Sequence, residues 1–134
     1  MNVLFCLLPK EKVAFVEDKM SIRQVMEKME AYRYSTIPLI DESGKYIGTI
    51  SEGDILWFLK ERHTFDLKEL EKVSILEVKR NKDNQVVYAN ANIEDIIETS
   101  IIQNFVPVLD DRHLFIGIVT RKSIIQFLME KREK

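Results

Sequence analysis

Cys6 is the only cysteine in the chain, which excludes an internal disulfide. No apolar run approaches the roughly 18 residues that a membrane span requires. The opening stretch Val3-Leu4-Phe5-Cys6-Leu7-Leu8 lacks a basic flank and stops at Pro9-Lys10-Glu11-Lys12. It is read as the end of a packed helix, not as a signal peptide, and a reducing cytoplasm is the expected setting. An excess of one charge is missing too: 20 basic and 22 acidic residues give a formal net charge of −2, which does not favour a general polyanion binder, so nucleic acid is not an expected partner. Neither His63 nor His113 has a cysteine or a second histidine at ligand spacing, so no metal is expected. The sequence shows no nucleophile with an adjacent base and no Walker-type glycine loop, which disfavours phosphoester hydrolysis.

What the chain does have is a message stated twice. Ile37-Pro38-Leu39-Ile40-Asp41 followed by Tyr46-Ile47-Gly48-Thr49-Ile50-Ser51 returns as Val106-Pro107-Val108-Leu109-Asp110 followed by Phe115-Ile116-Gly117-Ile118-Val119-Thr120. The prolines stand 69 residues apart (107 − 38), and so do the glycines, which marks a duplicated unit. With 134 residues and 46% hydrophobic content, two half-domains have enough apolar side chains for a core.

Each unit is expected to open with a short strand, Val13-Ala14-Phe15-Val16 or Val86-Val87-Tyr88-Ala89. A helix follows. Ser21-Ile22-Arg23-Gln24 has the form of a capping box ahead of Val25, Met26 and Met29, and Asn92 is placed to cap a helix carrying Ile93, Ile96, Ile97 and Ile101. Two apolar strands come next, joined by Glu42-Ser43-Gly44-Lys45 in one copy and Asp111-Arg112-His113 in the other. The closing helices carry Ile55-Leu56-Trp57-Phe58-Leu59 and Ile124-Ile125 with Phe127-Leu128-Met129. These are apolar over more than one face, which predicts packing on a sheet and on a neighbouring unit or second chain, hence a homodimer through helices. Asp66-Leu67-Lys68-Glu69 and Ser74-Ile75-Leu76-Glu77 read as capped helical turns, followed by an exposed charged connection over 79–84.

A β-α-β-β-α unit of this period, with Ile37-Pro38-Leu39-Ile40-Asp41 on one strand and Gly48-Thr49-Ile50-Ser51-Glu52-Gly53-Asp54 leading into the last helix, resembles the CBS motif. Two in tandem resemble a Bateman module, and the likeness runs from about Val13 to Leu128. Through Lys12-Val13-Ala14, Tyr34-Ser35-Thr36-Ile37-Pro38 and Thr120-Arg121-Lys122 the chain is also similar to small stand-alone CBS-pair receptors for cyclic di-AMP of Gram-positive bacteria. The resemblance implies an α/β (α+β) fold of two units packed face to face with pseudo-two-fold symmetry. Residues 1–65 form the first unit with its short N-terminal helix, 66–84 a helical connection, and 85–134 the second unit. It implies shared nucleotide clefts. Site A joins Lys12, Val13, Ala14, Tyr34, Ser35, Thr36, Ile37 and Pro38 to Thr120, Arg121 and Lys122. Site B joins Val86, Val87, Asn104, Phe105, Val106 and Pro107 to Ser51 and Asp54.

Two explanations cover Ser51 and Asp54. A hydroxyl at the N-cap and an acid three residues on are what any helix start prefers, and a carboxylate there also accepts from both hydroxyls of a ribose. Ile37 or Val106 is expected to offer an apolar wall to a purine. In the second copy Ser123 stands where Asp54 has its equivalent, so the diol-reading carboxylate is missing, while Arg121 and Lys122 occupy the first helical positions. The helix dipole disfavours cations there by about 0.3–1 kcal/mol each. An anion bridging them reverses that sign; the plain alternative is a pair of solvated surface cations. A cyclic dinucleotide has two phosphodiesters and no free 2′,3′-diol, which suits site A; ADP and ATP suit the cations as well. Site B, with Asp54 and few cations, suits an open ribose such as that of AMP. Tyr32, Tyr34 and Trp57 are read first as packing residues.

The expectation is therefore a non-enzymatic sensor that binds an adenine nucleotide as a regulatory ligand, without a cofactor, and signals in trans to an effector protein whose identity the chain does not reveal. A ligand-free dimerisation scaffold is the alternative, and a nucleotide hydrolase stands behind it.

Overall fold

Ser21 starts the first long helix as its spacing predicts. Its Oγ accepts from the Gln24 amide at 3.2 Å, and Gln24 Oε1 accepts from the Ser21 amide at 2.9 Å. The computed structural model describes residues 1–133. In chain order its strands are β1 (Leu8–Pro9), β2 (Val16–Glu17), β3 (Thr36–Ile40), β4 (Tyr46–Ser51), β5 (Val87–Tyr88), β6 (Phe105–Leu109) and β7 (Phe115–Thr120). Its α-helices are α1 (Ile22–Tyr32), α2 (Glu52–Arg62), α3 (Leu67–Leu70), α4 (Ile97–Ile102) and α5 (Arg121–Glu133). The chain divides into two units, Ala14–Asp83 and Met1–Val13 together with Asn84 onward.

In the unit Ala14–Asp83 the sheet order is β2-β3-β4, with β2 parallel and β4 antiparallel to β3. Apolar positions at helical spacing on α1 turn Ile22, Val25 and Met29 onto the sheet, where they meet Val16, Ile37, Leu39 and Ile50. The helix stops where Arg33 takes a left-handed conformation, φ 59°. The connection after α2 belongs to this core. Leu70 and Ile75 are fully buried within it, the Ile22 amide donates to Val73 O at 2.9 Å, and the Ile75 amide donates to Met20 O at 3.0 Å. Asp66 and Ser74 cap the successive short turns through their side chains, as their sequence pattern predicts.

The second unit is built on the order β1-β7-β6-β5. Here the N-terminal stretch is a 3-10 turn over Val3–Cys6 followed by β1, not an α-helix, and it packs with the second repeat instead of the first. Leu8 pairs with Ile118 and Pro9 with Gly117, and the Val3 amide donates to Ala91 O at 3.0 Å. Gly117 allows this. A Cβ there would overlap the Leu8 carbonyl, and its φ of +154° is one that L side chains rarely adopt. Lys134, the last residue of the expected second unit, lies outside the described residues.

The expected opening strands are shorter than the apolar runs that suggested them. Val13 closes a 3-10 turn over Lys10–Lys12, and pairing begins only at Val16; in the second copy it covers Val87 and Tyr88. The second unit's crossover helix is also reduced. A 3-10 turn over Ile93–Asp95 precedes the six-residue α4, and Ile97, Ile101 and Ile102 are exposed where one continuous buried stripe was expected. β-branched side chains lower helix propensity, and the Ser100 hydroxyl donates back to Ile97 O at 2.7 Å, a bond that competes with helical geometry.

Candidate functional site

Each repeat ends β4 or β7 in a hydroxyl residue that starts the next helix. In the first repeat Ser51 Oγ accepts from the Asp54 amide and Asp54 Oδ2 accepts from the Ser51 amide, both at 3.0 Å. The remaining oxygen, Oδ1, accepts from the Asn81 amide at 3.0 Å. Both oxygens of this buried carboxylate are thus used inside one unit: it caps α2 and holds the connection. Nearby, Asp83 Oδ1 accepts from the Thr49 amide at 3.0 Å and from Arg80 Nε at 2.7 Å. A Cβ on Gly48 would collide with that pair, which accounts for a glycine there. The charged connection, read from the sequence as merely exposed, is pinned at Asn81 and Asp83.

In the second repeat Ser123 completes the same box without a charge. Its Oγ accepts from the Thr120 amide at 2.9 Å, Thr120 Oγ1 accepts from the Ser123 amide at 3.0 Å, and the Ser123 hydroxyl donates to Thr120 O. The two boxes therefore share geometry, but the first helical turn of α2 carries two carboxylates, Glu52 and Asp54, and that of α5 carries none. The cations beside the second turn also differ from each other. Lys122 is exposed. Arg121 is held: Nε donates to Ser100 O at 2.6 Å and Nη2 to Gln103 O at 3.2 Å, at the end of α4. Part of the guanidinium thus already offsets the partial charge of helix carbonyls.

Ser100, Gln103 and Asn81 are the polar residues that the sequence gave no reason to single out. Gln103 is buried, with Oε1 accepting from the Gln85 amide at 2.7 Å and Nε2 donating to Gln85 O and Phe105 O. The one available signal was a glutamine in an otherwise apolar approach to β6.

The expected site A residues fall into two sets. Lys12, Val13, Thr120, Arg121 and Lys122 belong to the second repeat's unit, where the Lys10–Lys12 turn packs against β7. Ala14, Tyr34, Ser35, Thr36, Ile37 and Pro38 belong to the other unit, where Thr36 pairs with Ser51 and the Glu52 amide donates to Ser35 O at 3.0 Å. Of site B, Ser51 and Asp54 lie in that same unit, whereas Val86, Val87, Asn104, Phe105, Val106 and Pro107 lie with Arg121; Phe105 pairs with Thr120. Ile37 and Val106 do not offer walls to a base. They are 0% and 1% exposed, consumed by the cores of their own units, as strand residues facing a helix layer must be. Tyr34 is half-buried against the first core with its ring 6.0 Å from that of Tyr32. A groove of about 710 Å³ between α1 and α2, floored by Met26, Met29 and Leu59, includes only Tyr34 and Ser35 of the expected positions. Among the described residues no three His, Cys, Asp or Glu side chains gather as a metal set, and no helix is long and apolar enough to cross a membrane.

Two β-α-β-β-α repeats, each delivering a capped helix N-terminus at the end of its sheet, define a tandem mixed α+β architecture. The model of the CBS domain matches residues 7–61 and 77–130, and the chain belongs to the CBS domain family, with two repeats. It is 28% identical over 123 residues to an uncharacterized protein of Methanocaldococcus jannaschii; the match takes in 90% of this chain but only 42% of that relative's length. Among solved structures, CbpB in complex with c-di-AMP superposes with a TM-score of 0.88 at 28% identity, covering 97% of this chain and 85% of the other. CbpB from Streptococcus agalactiae superposes with a TM-score of 0.79 at 31% identity, covering 90% and 75%.

Proposed function

We propose that the chain is a non-enzymatic regulatory module whose ligand is an adenine nucleotide, with cyclic di-AMP first among the candidates and AMP, ADP and ATP behind it. The observation that carries this reading is the contrast between the two turns. The first keeps a carboxylate at Asp54; the second replaces it with Ser123 and sets exposed Lys122 and the remaining donors of Arg121 at a helix N-terminus. Removing a negative charge and adding cations suits a phosphodiester and removes what would read a diol. The likeness to CbpB, solved with c-di-AMP, supports the same ligand class.

Thr120, Arg121 and Lys122, with Lys12 and Val13 of the same unit, are proposed to read phosphate. Site B is proposed as the weaker one, because Asp54 must share its oxygens with Asn81 and Ser51. Exposed Leu56 and Trp57 on α2 and Ile125 and Met129 on α5 support self-association through helices and leave apolar surface for an effector protein. A ligand shifts such a module only through its different affinity for two states.

Thermal shift with AMP, ADP, ATP and cyclic di-AMP, followed by chromatography of the recovered nucleotide, tests the proposal. Saturable stabilisation with the nucleotide returned intact is expected. Conversion of the nucleotide would mean an enzyme, and silence from all four would leave the dimerisation scaffold.

A further inference from the structure

Arg121 sits where a helix dipole opposes its charge, yet it is held with short, directed bonds. A guanidinium offers five N–H donors in a planar fork. Here Nε and Nη2 are occupied by Ser100 O and Gln103 O, and Arg121 makes no other hydrogen bond or ion pair among the described residues. The Nη1–Nη2 edge is left, and the plane of the fork is fixed by carbonyls at the end of α4. Those carbonyls are not isolated. Gln103, whose main chain takes one bond from Arg121, clasps both the amide and the carbonyl of Gln85 with its side chain, and Gln85 leads directly into Val86 and β5. All of this lies within one unit.

We infer that α4 and the Gln85 segment act as the holder of Arg121, so that anion binding at its remaining edge and the order of α4 rise and fall together. The inference rests on the nucleotide reading above and adds its route of regulation. Preorganisation is the physical cause. A long side chain fixed before the ligand arrives loses less rotamer freedom on binding, and a bidentate edge needs a fixed plane to be useful. Coupling is reciprocal: if an ordered α4 strengthens the anion seat, an occupied seat must protect α4. That helix is the natural responder, being six residues long, preceded by a 3-10 turn, and bearing Ile101 and Ile102 at 67% and 70% exposure. Lysine cannot replace arginine here, because an ammonium keeps the charge without the second edge.

Amide hydrogen exchange on the intact protein tests this, with cyclic di-AMP as the probe and R121K as the variant, compared at equal saturation set by calorimetry. In the wild type the ligand is expected to slow exchange over residues 97–103 and 85–87 by about ten-fold, the scale of one charge-assisted contact. Ligand-free R121K is expected to exchange about ten-fold faster than wild type over 97–103, with no further protection there when ligand binds. Binding to the wild type without any change at 97–103, or ligand-free R121K exchanging like the wild type, overturns the inference while leaving the nucleotide reading intact. Failure of cyclic di-AMP to bind the wild type overturns the linkage together with that reading.

Discussion

At the scale of single residues, the duplicated turns show how one fold template carries two electrostatic settings. Asp54 and Ser123 occupy equivalent positions and close equivalent boxes, but only Asp54 also takes the Asn81 amide. Asp54→Ala is therefore expected to remove a cap and a tether at once and to cost about 1–3 kcal/mol in denaturant unfolding. Ser123→Ala removes only the cap and should cost about 1 kcal/mol. Gly117→Ala is expected to be worse than Gly48→Ala. The first places a Cβ on the Leu8 backbone at a positive φ, whereas the second meets the movable side chains of Asp83 and Arg80. A cost of about 1–3 kcal/mol for the strained backbone, with faster amide exchange in β1, is the expected outcome for Gly117. Asp41 supplies a pH dependence. The Ser43 hydroxyl, then the Lys45 amide, hold its carboxyl below the usual aspartate range. A folded-state pKa lowered in this way adds stability that is present above the unfolded value of about 3.9 and is lost as pH falls through the folded one. Asp41→Asn should therefore flatten that part of the acid limb in urea midpoints measured against pH, leaving neutral-pH trends in place.

At the scale of elements, legibility followed periodicity. The two β-hairpins and α1 were readable because a period-two apolar frame and a capping box each point to one structure, and the register pairing Pro38 with Thr49 and Pro107 with Ile118 bears out the repeat. α4 misled because five isoleucines between 93 and 102 promise burial but are poor helix formers, and the Ser100 back-bond shortens what remains. The N-terminal stretch misled differently. Its burial was foreseen, but the surface that buries it is β7, more than a hundred residues on, and no local pattern carries that information. The same holds for Arg121, whose position at a helix start was legible and whose partners at the end of another helix were not. The connection between the repeats belongs to the first core, so Leu70→Ala should cost about 2–5 kcal/mol, as for any large buried side chain, when thermal or urea unfolding is followed. A loss under about 0.5 kcal/mol would mean that this segment is only a surface tether.

At the scale of the molecule, two repeats of one architecture differ in which charge they set at a helix start, and the proposed preference of the second turn for an anionic ligand rests on that difference. Exposed apolar side chains on α2 and α5 are the surface on which the proposed self-association rests. The most direct measurement is calorimetric titration of cyclic di-AMP and, separately, adenosine into the wild type and Lys122→Met, a change that touches the turn proposed to read phosphate without disturbing the bonds of Arg121. The account predicts saturable cyclic di-AMP binding by the wild type, about ten-fold weaker in the variant, with adenosine binding left where it was. Equal losses for both ligands, or no change for cyclic di-AMP, would contradict the assignment of this turn to an anionic ligand.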